Sequence, residues 1–194
     1  MKKSLIIRKK ITLAIVSFIV IVTLFGIQSC EPDQILITDT DLKLPPVPLN
    51  TAGWTVVDFT SQEDNDGEGA GNGRVFNTID GDPDTFWHTC WNGCTAVPPH
   101  SFVIDMLESR DISGFNFVQR KSFSRNIEIL SIDISEDNSS WTSLGEFTLE
   151  RTENAEAQDK PLEEVVKARY FRVNVVKVYD GTNNAALAEI APYL

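Results

Sequence analysis

From Trp54 onward, apolar residues either alternate with polar ones or fall in short β-rich runs, and no long pattern of period 3.6 is present. The alternation predicts strands over 56–59, 101–106, 112–119, 127–135, 141–147, 168–178 and 186–193. Phe115 and Phe117 share one face of their run, and Phe171, Val173 and Val175 share one face of theirs. Between Ile129 and Leu130 the apolar parity shifts, which predicts a bulge or bend. The stretch 63–73 is rich in Asp and Gly and reads as loop. The charged stretch 150–164 reads as a strand edge or a short turn of helix. Short strands with polar connections predict an all-β domain over residues 52–194, built as a sandwich or small barrel.

The first residues follow a different rule. Lys2, Lys3, Arg8, Lys9 and Lys10 form a basic start, followed by an uncharged apolar run from Ile11 to Ile27 that ends at Gln28-Ser29-Cys30. Basic start, apolar centre and small residues before a cut site make a secretory signal. The run is short of the about 20 residues that a span requires, so a retained anchor is the weaker reading. The segment resembles a bacterial lipoprotein signal (residues 1–29), although Ile27 must fill the position usually held by Leu. The resemblance implies that Cys30 is the lipidated first residue of the mature chain, an anchor of ~0.8 kcal/mol per buried CH₂. Residues 30–51 then read as a tether, stiffened by Pro45, Pro46 and Pro48. Glu31 and Asp33 look like the acidic signal by which some outer-membrane lipoproteins reach the cell surface.

Charge narrows the partners. The whole chain carries 17 basic and 28 acidic residues, a net −11. Residues 1–29 hold five of the basic residues and none of the acidic ones, so the remainder has 12 against 28, a net −16. Nucleic acid and anionic lipid faces select basic surfaces, and both are excluded as main partners.

Candidate chemistry lies in two places. The turn from Asn77 through Asp80-Gly81-Asp82-Pro83-Asp84-Thr85 converges carboxylates in a form suited to Ca²⁺, which takes six to eight oxygens at ~2.3–2.6 Å. It is not a helix-flanked calcium loop, since the required Glu is missing, and the glycines at 67, 69, 71 and 73 open no nucleotide cradle. The second place is the segment from Trp87 to His100. Cys90 and Cys94 are an even pair once Cys30 is assigned to lipid, and after export a disulfide is the expected state. A zinc site from His88, Cys90, Cys94 and His100 is the rival, though its spacing fits no zinc pattern. Trp87 reads as core, whereas Trp91, inside the Cys loop, could stack on a sugar ring or plug the loop.

Several separate motifs resemble one family. They are Asn77-Thr78-Ile79-Asp80-Gly81-Asp82 with Thr85-Phe86-Trp87-His88-Thr89, then Pro99-His100-Ser101-Phe102-Val103-Ile104-Asp105-Met106, then Phe117-Val118-Gln119-Arg120. Ile134 to Trp141, Ala168-Arg169-Tyr170-Phe171-Arg172-Val173 and Ala188-Glu189-Ile190 complete the set. Together they resemble the discoidin-like domain, also called the coagulation factor 5/8 type C domain. The resemblance implies a jelly-roll-like antiparallel β-sandwich of the galactose-binding-domain-like class. It also implies a structural Ca²⁺ held by Asn77 (main chain), Asp80, Asp82, Thr85 and Glu189.

Many bacterial members are family 32 carbohydrate-binding modules, which bind galactose-type or related sugars through end loops. By position, His88, Arg120 and Asn126 resemble the residues that contact sugar hydroxyls there. The function expected is therefore non-catalytic glycan binding by an outer-membrane lipoprotein at the cell surface, beside a partner glycosidase or surface protein. A protein-binding adhesion or assembly module is the alternative. No Gly-x-Ser-x-Gly elbow is present, and no enzyme activity is expected.

Overall fold

The computed structural model describes residues 44–194. The expected lipoprotein signal, Cys30 and most of the expected tether lie outside the described residues. Among those described, no helix is long and apolar enough to cross a membrane.

Eight strands organise this part of the chain: β1 (Thr55–Phe59), β2 (Trp87–His88), β3 (His100–Val118), β4 (Ile127–Ser135), β5 (Thr142–Thr148), β6 (Ala157–Val178), β7 (Ala186–Leu187) and β8 (Glu189–Tyr193). They pair in the order β1-β3-β6-β4-β5, with β8 also on β3 and a separate β2-β7 ribbon. All of these pairings are antiparallel.

Two long strands make the sandwich. The first half of β3 pairs with β1 and the second half of β6, while its second half pairs with β8 and the first half of β6. The register breaks between Asp105 and Arg110, where each long strand passes from one layer to the other. Leu107 takes φ 70° at this bend, a left-handed conformation costly for a side chain with Cβ. Asp105 holds it by accepting the Leu107 N–H at 2.7 Å, and is itself held by Arg169 Nε and Nη2 at 2.9 and 2.8 Å. This is why the runs predicted at 101–106 and 112–119 form one strand.

The two layers meet through aromatic rings. Phe115, in the second half of β3, stands edge-on to Phe171 and Phe147 of the opposite layer, with centroids 5.7 and 6.3 Å apart, within the favourable range for such pairs. Trp54 closes one side of the core against Phe171. The all-β sandwich expected from the alternation is the fold observed.

The differences in the strands have local causes. The run at 168–178 extends back to Ala157, through the charged stretch that left strand edge and helix turn both open. There β6 pairs only with β3 and keeps exposed positions, so charge is tolerated along it. The single strand expected over 186–193 is divided at Ala188, whose N–H turns to Val118 O. The short strand β2 was not predicted, because two residues carry no periodicity.

Candidate functional site

One end of the sandwich is shaped by loops fastened to the β2-β7 ribbon. The loop over 61–73 is anchored by the Glu63 N–H, which donates to both Gly73 O and His88 O, and by the Gly73 N–H, which donates to Phe86 O. The Asn126 bridge to Ala186 and the Ala186 N–H to Arg125 O bring the 120–126 loop to the same end. Between these loops lies a recess of about 310 Å³ lined by Glu68, His88, Trp91, Arg120, Ser124, Arg125 and Asn184.

His88 is buried on β2. Its Nδ1 lies 2.6 Å from Thr89 O, so the hydrogen bond assigns the proton to Nδ1 and leaves Nε2 as an acceptor toward the recess. Burial pushes its pKa below the usual value, against the opposing pull of the Thr89 carbonyl and the Glu68 carboxylate. The ring is therefore neutral near pH 7.

Arg120 follows β3 directly and is held from two sides. Its Nη2 donates to Glu68 Oε2 at 3.1 Å, and its guanidinium lies 4.2 Å from the centroid of the Phe86 ring. Gln119 fixes the backbone that presents it: fully buried, it bonds both the N–H and the C=O of Ile127. Trp91 is 45% exposed, and its indole packs over Gly67, where a Cβ would come within 2.9 Å of the ring.

Three expectations are brought together here, and one is corrected. His88, Trp91 and Arg120 line the recess, but Asn126 does not. Asn126 is fully buried, donating Nδ2 to Ser122 O at 2.8 Å and accepting the Thr152 N–H at 3.1 Å. It shapes the loop from beneath, and its neighbour Arg125 reaches the recess instead, at φ 64°. Arg125 is tethered by Asp180, which accepts both its main-chain N–H and its Nη1 and has its pKa lowered to about 2. Burial alone would raise that value; hydrogen bonds from Arg125 and Thr182 outweigh it.

Glu68 and Asn184 were not foreseen. Glu68 sits in a loop without periodicity, more than fifty residues before Arg120, so only folding shows that they meet.

Cys90 and Cys94 are joined as a disulfide with Cα atoms 5.9 Å apart, in the ordinary range. His100 is turned to Asn183 O. The zinc alternative therefore has no thiolates to use.

The acidic turn follows a short 3₁₀ segment, Val75–Ile79. Asp80 Oδ1 accepts the Asp82 N–H and its Oδ2 accepts the Thr85 hydroxyl at 2.7 Å. Asn77 donates its side-chain Nδ2 to Gly71 O at 2.7 Å. Glu189 of β8 meets Asp80 here. Its Oε1 is buried and has no hydrogen-bond partner. Burial first, then the contact with Asp80, raises its pKa to about 8.

The fold is a two-layer β-sandwich with a recess built by loops at one end. The chain belongs to the F5/8 type C domain family, whose model matches residues 58–190. A sialidase of Micromonospora viridifaciens is 29% identical over 143 residues, covering 73% of this chain and 21% of that protein. The chain thus spans about a fifth of the length of that curated relative. Among solved structures, the C-terminal domain of a Bacteroides fragilis chitobiase superposes with TM-score 0.67 at 29% identity, covering 75% of this chain and 96% of that one. The family 32 carbohydrate-binding module of Clostridium perfringens NanJ, in complex with galactose, superposes with TM-score 0.62 at 23% identity, covering 77% and 100%. Structural neighbours of this chain are family 32 carbohydrate-binding modules, usually non-catalytic parts of larger proteins.

Proposed function

We propose that this protein is a non-catalytic glycan-binding lipoprotein whose end-loop recess takes a galactose-type or related sugar. The observation that carries the reading is the meeting of His88 Nε2, the Arg120–Glu68 pair and the half-exposed Trp91 indole around one recess. A pyranose needs directed donors and acceptors for its hydroxyls and an aromatic face for its C–H side. Neutral His88 accepts a hydroxyl proton, Arg120 donates, Glu68 accepts, and Trp91 stacks. Glu68 is the one carboxylate lining the recess, whereas glycoside hydrolysis ordinarily uses a pair.

A structural Ca²⁺ belongs to the same reading. The residues present fit it: Asp80, Asp82, Thr85 and Glu189 are hard oxygen donors, and the orphaned, buried Glu189 Oε1 is the kind of group a divalent cation would satisfy. The ion would tie the acidic turn to β8. Display on the outer membrane through Cys30, facing the cell surface, is proposed from the signal sequence and the residues after it. The sialidase relative supports a partner glycosidase acting on the same glycans.

Isothermal calorimetry with galactose, N-acetylgalactosamine and glucose, preceded by a glycan array, tests the reading. Arg120→Ala is expected to weaken binding at least tenfold, on the order of the 1.5–3 kcal/mol of a hydrogen bond to a charged group, and His88→Ala roughly two- to tenfold, on the order of the 0.5–1.5 kcal/mol of a bond between neutral groups. Unchanged affinity in both variants, or no binding to any glycan, would refute it.

A further inference from the structure

Glu63 carries a carboxylate with no exposed surface, outside the recess, on the loop that leads to Glu68. Buried carboxylates are costly unless fully hydrogen-bonded. This one is satisfied entirely by main chain. Its Oε1 accepts the Asn65 N–H at 2.8 Å, and its Oε2 accepts the N–H groups of Trp91 and Asn92, each at 2.8 Å. Burial would raise its pKa, but the Asn92, Trp91 and Asn65 donors and nearby His88 outweigh this and hold it below the usual carboxylate range. The group is ionised at neutral pH.

The donors belong to two different loops. Asn65 lies in the loop that carries Glu68, and Trp91 and Asn92 lie between the bridged cysteines. The same two loops exchange amide bonds, Asn65 Nδ2 to Asn92 O at 2.7 Å and Asn92 Nδ2 to Asn65 O at 3.2 Å. Cys90 N–H donates to Ser61 Oγ at 2.9 Å, and Gly67 leaves room for the Trp91 ring above it. Glu63 is the anion at the centre of this junction. Its carboxylate also lies near both Sγ atoms, but their disulfide leaves nothing there to bind a metal.

We propose that Glu63 is a positioning residue for ligand recognition, setting the place of the Trp91 indole on the recess wall. The inference rests on the glycan reading of the recess. A wall held by a buried anion is ordered before the ligand arrives, which removes an ordering cost from binding. Gln at this position keeps the shape but turns an N–H₂ toward main-chain donors, so at least one of the three bonds is lost.

The test combines ligand-free and ligand-bound readouts on the purified protein. With 5-fluorotryptophan incorporated, the Trp91 fluorine resonance, assigned by Trp91→Phe, is expected to shift in Glu63→Gln while that of buried Trp87 stays in place. Galactose affinity is expected to fall about tenfold in Glu63→Gln, and less than about twofold when the change is made on a Trp91→Ala background. A merely structural role would lower affinity by the same factor on both backgrounds and would overturn the proposal, as would an unmoved Trp91 resonance. Should Glu63→Gln fail to fold, hydrogen exchange of the wild type decides. The Trp91 and Asn92 amides are expected to be as protected as strand amides, and fast exchange there overturns the proposal. If the wild type binds no sugar, the glycan reading falls, while the fluorine shift still decides whether Glu63 places Trp91.

Discussion

Replacing Gln119 by Leu removes a clamp without removing volume. In the native protein Gln119 Nε2 donates to Ile127 O at 2.7 Å and to Glu150 O at 3.4 Å, and Gln119 Oε1 accepts the Ile127 N–H at 3.2 Å. Gln119 and Ile127 are both fully buried, so water cannot take over at Ile127. Glu150 is exposed, and its carbonyl can be rehydrated. The variant therefore leaves two buried main-chain groups unpaired at ~1–3 kcal/mol each, partly offset by the apolar Leu, for a net loss of about 3 kcal/mol. For a unit of the size of Pro45–Leu194 this is a fall of roughly 6–12 °C in Tm. Urea unfolding followed by tryptophan fluorescence measures it, with an unchanged m-value showing that stability alone has moved. Because Arg120 is the next residue, sugar affinity should fall with stability. A loss below about 1 kcal/mol would show that the main chain relaxes or water enters, and would refute the clamp.

Other expectations are as specific. Removing divalent ions with a chelator should lower Tm, and adding Ca²⁺ should restore it in the wild type but not in Glu189→Gln; equal melts with and without chelator would exclude the ion. Asp105 is held below its usual pKa, chiefly by the Arg169 hydrogen bonds and against burial. The native state thus releases this proton more readily than the unfolded state, so the pair's contribution is present above about pH 4 and lost as pH falls through the native value. Arg169→Met should unfold at a higher pH than the wild type in an acid titration followed by circular dichroism. Coincident acid transitions would remove the pair from that role.

The layer class was legible in the chain because alternation is a local property. Phe115 and Phe117, and again Phe171, Val173 and Val175, state which face is buried before any partner strand is known. Turn chemistry is local too: between β4 and β5, Asp137 accepts the Ser139 and Ser140 N–H groups. His88 and Arg120 came from the family resemblance and Trp91 from its place inside the cysteine loop, and all three line the recess.

What the tertiary structure alone decided concerns contacts between distant segments. No pattern near residue 68 shows that its carboxylate will meet Arg120, since nothing periodic relates the two positions. Asn126 and Arg125 differ by one place in the chain, and only the left-handed backbone at Arg125, with Asp180 as its anchor, decides which of them faces the recess. In the sequence Glu63 marks only the start of an Asp- and Gly-rich loop, and folding makes it a buried anion joining two loops. The physical reason is the same in each case. Alternation and turn residues act over a few bonds, so the sequence carries them openly, whereas desolvation and hydrogen-bond pairing depend on what the rest of the chain brings alongside.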